Sequence, residues 1–120
     1  MEMDPEVQLM RDPAHHKAMS MIRDERRRQM VKWGEQNHPD GTGSVVAEIF
    51  AEQWKTVCDA NHEASKDDWA TIAAEEFLEA LAETDEDLLI IEVAQNAAVF
   101  TAWLEDLLRR QLKRMAETSG

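Results

Sequence analysis

Two groups of oxygen-bearing side chains stand where apolar residues belong. Between Trp69 and Glu83 the chain reads WATIAAEEFLEALAE, and at about 100° per residue an α-helix gathers Trp69, Ile72, Ala73, Phe77, Ala80 and Leu81 on one side. Glu76 falls inside that apolar arc, and Glu75 and Glu79 fall at its edge. An isolated ionised carboxylate in such a place is costly unless it is paired, protonated or bound to a metal. In the following segment Leu88, Glu92, Gln95, Asn96, Val99 and Trp103 share one helix side, so the polar groups within the apolar stretch Leu88 to Leu104 collect on one face.

The two segments are separated only by a short turn, Thr84 to Asp87, and so are expected to pack antiparallel with positions equidistant from the turn opposed. Glu79 then meets Glu92 and Glu76 meets Gln95, at roughly 10 to 14 Å from the turn for a rise of about 1.5 Å per residue. Carboxylates gathered in one water-accessible pocket, without Cys or paired His, select a hard cation: Mg²⁺ first and Mn²⁺ second. Such a cation is commonly held by carboxylates together with substrate phosphates, which points to a phosphorylated ligand. A plainer reading makes Glu75 and Glu79 a solvated helix edge and pairs Glu76 with an Arg or Lys of the first helix.

The elements that must position these groups are helical. Asp4-Pro5 and Asp12-Pro13 break residues 1 to 13 into an arm of uncertain order, and residues 14 to 120 form one all-α domain. The first helix is expected from about Ala14 to Trp33, with a thin stripe of Met19, Ile22, Met30 and Trp33, and stops at Gly34. The loop GEQNHPDGTG follows, with three of the chain's four glycines. Ser44 caps a second helix whose inward face is Val46, Ile49, Phe50, Gln53, Trp54 and Val57. Ser65 caps a third, from about Lys66 to Glu83, and Thr84 a fourth that runs to about Met115. No strand-period alternation of useful length is present, so three or four helices packing as a bundle is the expected architecture.

Composition narrows the classes. In 120 residues, 13 Lys and Arg stand against 25 Asp and Glu, and the net charge of -12 repels nucleic acid and anionic membrane. Cys58 has no intramolecular partner, which fits a reducing cytoplasm. No leader-like N-terminus and no uninterrupted apolar run of about 18 residues is present, so membrane insertion is not expected. Leu88 to Leu104 is apolar nearly all round and requires cover on every side, which implies a homo-oligomer.

Glu75-Glu76-x-x-Glu79 within AAEEFLEALAE, and Glu92-Val93-Ala94-Gln95 within IEVAQNAAV, resemble the Glu-Glu-x-x-Glu and Glu-x-x-Asp signature of the MazG-like all-α nucleoside triphosphate pyrophosphohydrolases, with Gln in place of the usual Asp. KWGEQNHPDGT is similar to the segment after the first helix in phage and actinobacterial proteins of that kind, and the resemblance spans about residues 20 to 112. It implies a four-helix MazG-like bundle, dimeric or tetrameric, that cleaves a nucleoside triphosphate to monophosphate and pyrophosphate with Mg²⁺. The reaction would serve nucleotide-pool control or house-cleaning, with guanine as one candidate base. By position, Glu76, Glu79, Glu92 and Gln95 are implied metal ligands, while Glu75 binds metal or orients the attacking water. Asn96, one turn from Glu92, offers a second amide oxygen.

Lys32 and Trp33, with Gln36, Asn37 and His38 of the loop, are candidates for the phosphate and base side of the pocket. Trp103 joins them because it shares the Glu92 face, whereas Trp54 and Trp69 lie on core stripes. His15, His16 and His62 have no ligand spacing for zinc. Arg26 to Arg28, with Arg109, Arg110, Lys113 and Arg114, read as solvated faces or intersubunit pairs. Two alternatives stand beside the enzyme: a catalytically degenerate nucleotide-binding or oligomerisation module, favoured by the neutral Gln95, and a pyrophosphohydrolase of the same superfamily acting on phosphoribosyl-ATP.

Overall fold

The computed structural model describes residues 2–119, which are helical with no strand among them. The helices are α1 (Pro5–Arg11), α2 (Pro13–Trp33), α3 (Val45–Glu63), α4 (Trp69–Ala82) and α5 (Glu86–Ser119). They are divided between two compact units: residues 39–100, and the residues up to His38 with those from Thr101 onward. α5 contributes to both.

The prolines of the N-terminal stretch start helices as well as break them. Asp4 accepts from Glu6 N–H at 2.8 Å and Asp12 from Ala14 N–H at 2.9 Å, each with Pro at the first helical position, where no N–H is needed. The segment read as an arm therefore holds a seven-residue helix. In this unit Ala14 and Ala18 are buried with Leu108, and Leu104 packs against them. The buried Glu105 carboxylate is met by His15 Nδ1, and Arg109 reaches the second oxygen of Asp12 at 2.7 Å.

In the other unit Ser44 caps α3 as expected, accepting from Ala47 N–H at 3.1 Å. The two later caps differ from expectation. Ser65 sits past the end of α3 with φ 56°, and α4 begins only at Trp69, capped by Asp68, whose carboxylate accepts from Thr71 N–H at 2.7 Å. That bond holds the Asp68 carboxyl below its ordinary range, because it favours the ionised form. Asp85, not Thr84, caps α5 by accepting from Leu88 N–H at 3.0 Å, while Glu83 Oε1 receives the N–H groups of Thr84 and Asp85 at 3.1 Å each. A carboxylate offers a stronger acceptor than a hydroxyl at the positive end of a helix, which explains both shifts.

The face of α3 that packs is also not the one expected. Val46, Ile49, Phe50, Gln53 and Val57 are exposed, and α3 meets α4 through buried Ala47 and Cys58 and half-buried Trp54, against buried Ala73 and Ala80 on α4. Small side chains allow close approach, so Trp54 Nε1 and Cys58 Sγ both donate to the main-chain oxygen of Thr71, at 3.0 and 3.6 Å. Phe77 on α4 and Leu88, Ile90, Ile91, Val93 and Phe100 on α5 are likewise exposed. α5 also contains a window of mean hydropathy 1.3, long and apolar enough by composition to cross a membrane; Glu92, Gln95 and Asn96 interrupt it and so hide it from a search for unbroken apolar runs.

The loop before α3 is tied to the α4–α5 turn. Gly43 N–H donates to Leu81 O at 2.8 Å, its φ is +85°, and a Cβ there would stand 3.0 Å from Thr84 Cγ2. Gly43→Ala is expected to cost about 1–2 kcal/mol, the penalty of a left-handed L-residue, measured by chemical denaturation.

Candidate metal centre

The α4–α5 turn sends two helices back along one another, and an amide fixes their register. Asn96 Nδ2 donates to the main-chain oxygen of Glu76 on α4 at 2.9 Å and to that of Glu92 on α5 at 2.8 Å. Asn96 therefore stands opposite Glu76, in the place expected for Gln95, whose side chain is exposed. Glu76 and Glu79, one turn apart on α4, join Glu92 on α5, and the three half-buried carboxylates offer oxygens that all lie within 4.8 Å of one another. That spacing is about the span of two metal–oxygen bonds of 2.0–2.6 Å.

Electrostatics show what the cluster lacks. Partial burial, followed by the charges of Glu92 and Glu75, pushes the Glu76 carboxyl above its ordinary range. Glu79 is raised for the same reasons, by burial and then by Glu76, Glu92 and Glu75, against a smaller downward pull from Lys55. Oε2 of Glu76, Oε2 of Glu92 and Oδ1 of Asn96 are buried without a hydrogen-bond partner. Buried oxygens left unpaired are expensive, and a hard divalent cation would satisfy acceptors and charge together. The donor set, all oxygen, fits Mg²⁺ or Mn²⁺.

Glu75 lies on another side of α4, where it lines a cavity of about 290 Å³ with Cys58, Asp59, His62, Asp67, Thr71 and Ile72. The Cys58 thiol in the same cavity has its pKa pushed up to about 12, first by burial and then by Glu75. Cys58 is therefore a protonated packing residue and not a nucleophile or thiolate ligand. Glu75 adjoins the cluster, since its charge acts on both Glu76 and Glu79, but it is outside the set that converges on one point.

Lys32, Trp33, Gln36 and His38 belong to the other compact unit, as does Trp103. The first four are exposed; the Lys32 ammonium lies 4.9 Å from the centre of the Trp33 ring, and His38 Nε2 lies 3.3 Å from Gln36 Oε1. Trp103 is half-buried. Sequence reasoning missed Lys55, which carries no motif and follows Trp54 on α3, and it left open the choice between two amides that the fold resolves for Asn96. Comparison with protein-family models, with curated proteins and with solved structures finds no match.

Because Glu76 and Glu79 hold protons more tightly folded than unfolded, the metal-free protein loses stability as pH rises from about 4.5 through their raised values, and no more above them. In chelator at about pH 7, Glu76→Gln is expected to raise Tm, with the advantage shrinking as pH falls toward the ordinary carboxyl value. Saturating Mg²⁺ or Mn²⁺ should reverse the order by stabilising the wild type, by about 2.7 kcal/mol at a hundred times Kd. Thermal melts across pH with and without metal read this directly, and a wild-type Tm indifferent to both cations would count against the centre.

Proposed function

We propose that this chain is a metal-dependent nucleoside triphosphate pyrophosphohydrolase of the MazG-like kind, a four-helix bundle acting as a cytoplasmic homo-oligomer. The reaction is hydrolysis of a ribo- or deoxynucleoside triphosphate to the monophosphate and pyrophosphate. The observation that carries the reading is the convergence of Glu76, Glu79 and Glu92 on one point, with unpartnered buried oxygens on Glu76, Glu92 and Asn96.

Glu76, Glu79 and Glu92, with Asn96 Oδ1, would hold Mg²⁺ or Mn²⁺. A divalent cation so held supplies charge neutralisation at phosphate oxygens and acidifies water. The chain's own part is positioning and proton handling. Asn96, by bonding both main chains, keeps the Glu76 and Glu92 carboxylates facing one another. Glu75, whose charge acts on the cluster from its own side of α4, is the carboxylate assigned here to take the proton of the attacking water as the water oxygen bonds to the α-phosphorus and the bond to the bridging oxygen breaks, releasing pyrophosphate. A protein of net charge -12 repels a polyanionic substrate, so the metal is what makes a triphosphate a plausible ligand. The base is left to experiment.

Ion-exchange analysis after incubation with each common ribo- and deoxynucleoside triphosphate is expected to show monophosphate and pyrophosphate with Mg²⁺ or Mn²⁺ and none with chelator. Glu76→Gln and Glu92→Gln should fold and lose at least about tenfold in kcat, the smallest loss seen when even a residue that only supports a ligand is removed. No turnover across the panel with either metal would leave a nucleotide-binding or oligomerisation module in its place.

A further inference from the structure

Cations are scarce around the cluster. The unit of residues 39–100 holds fifteen Asp and Glu and only two Lys or Arg, Lys55 and Lys66. Lys66 lies in the turn that precedes α4, whereas Glu79 lies near the other end of that helix. One divalent cation does not cancel the three carboxylates of Glu76, Glu79 and Glu92, so a polyanionic ligand needs a further positive group at the centre.

The packing of α3 on α4 places Lys55 there. The two helices run antiparallel: Trp54 and Cys58 meet Thr71 near the start of α4, and Gly43, just ahead of α3, meets Leu81 near its end. The cavity of about 290 Å³ marks which flanks face each other, because Asp59 and His62 line it from α3 and Ile72 and Glu75 from α4. Lys55 is one turn ahead of Asp59 on α3, and Glu79 is one turn beyond Glu75 on α4. In an antiparallel pair these two steps go the same way, so Lys55 stands across the groove from Glu79. The effect of its charge on the Glu79 carboxyl accords with that placement.

The ammonium is also uncommitted. Lys55 is exposed, and although Glu52 and Asp59 lie within one turn of it, no ion pair among the described residues includes it. Its flexible four-carbon stem lets the charge turn toward a ligand at the centre without moving the backbone.

We infer that Lys55 binds the phosphate chain of the substrate, as the protein cation that complements the metal centre of Glu76, Glu79 and Glu92. The identity of the substrate rests on the proposed function; the position of Lys55 rests on the fold alone. An ammonium meets phosphate as a compact charge with three N–H donors, which suits an oxygen of any of the three phosphates.

Lys55→Met keeps the stem and removes the charge, and circular dichroism should show the fold retained because the residue is exposed. Calorimetric titration of the Mg²⁺-saturated protein with the Mg²⁺ complex of inorganic tripolyphosphate is expected to show at least about tenfold weaker binding in K55M, the loss of one charge-assisted hydrogen bond, and recovery of most of it in K55R. Mg²⁺ titrated alone should bind K55M no more weakly than the wild type, since removing a positive neighbour does not disfavour a cation. Equal tripolyphosphate affinity in K55M and wild type, a loss that K55R shares in full, weaker Mg²⁺ binding by K55M, or a wild type that does not bind tripolyphosphate would overturn the inference. Turnover separates it from the proposed function. Nucleotide hydrolysis with an unchanged KM in K55M would overturn the role of Lys55 and leave the enzyme. A wild type that binds tripolyphosphate through Lys55 and hydrolyses no nucleotide would overturn the enzyme and leave Lys55 as a polyphosphate-binding residue.

Discussion

The structure of this protein turns on the mutual repulsion of Glu76, Glu79 and Glu92, held with their oxygens within 4.8 Å of one another in partial shelter from water. Nothing in apolar packing favours that arrangement. It is maintained from outside the cluster, by one amide that bonds the main chains of both helices and by a turn whose caps are carboxylates. Asn96 spends its donor on the backbone and leaves its oxygen buried and unbonded, in common with one oxygen each of Glu76 and Glu92. A set of acceptors without donors is what a hard cation completes, and the rise in the Glu76 and Glu79 pKa values registers the same deficit.

Each unit is packed through thin layers of small residues. Ala47, Cys58, Ala73 and Ala80 are buried where α3 meets α4, and Ala14 and Ala18 are buried beside Leu108 in the other unit. No large side chain is fully buried among the described residues, and much of the chain's apolar area stays open to solvent. Small interfacial residues bring main chains close enough for side-chain donors to reach main-chain oxygens, as Trp54 and Cys58 do at Thr71. They provide little hydrophobic stabilisation, because alanine removes little apolar area from water.

Charge is distributed as unevenly as apolar surface. The stretch from Asp67 to Asp106 is wholly acidic among its charged residues, and the last turns of α5 are basic. Within one helix these regions are too far apart to neutralise each other.

Helix content, the stop at Gly34, the start at Ser44 and the oddness of Glu76 among apolar neighbours were all legible in the sequence. These are properties of residues a few positions apart, and a helix repeats every 3.6 residues whatever surrounds it. Even the opposition of Glu79 and Glu92 followed from their equal distance from a short turn. Three things did not follow: that Ala47 and Cys58 rather than Ile49 and Phe50 face α4, that Asn96 rather than Gln95 stands across from Glu76, and that Glu75 turns toward Cys58. The last two are each a choice between adjacent helix positions, about 100° apart, and periodicity is nearly indifferent to it. Tertiary structure decides it, because the close approach of small side chains and the direction of a single amide are set by groups far away in the chain.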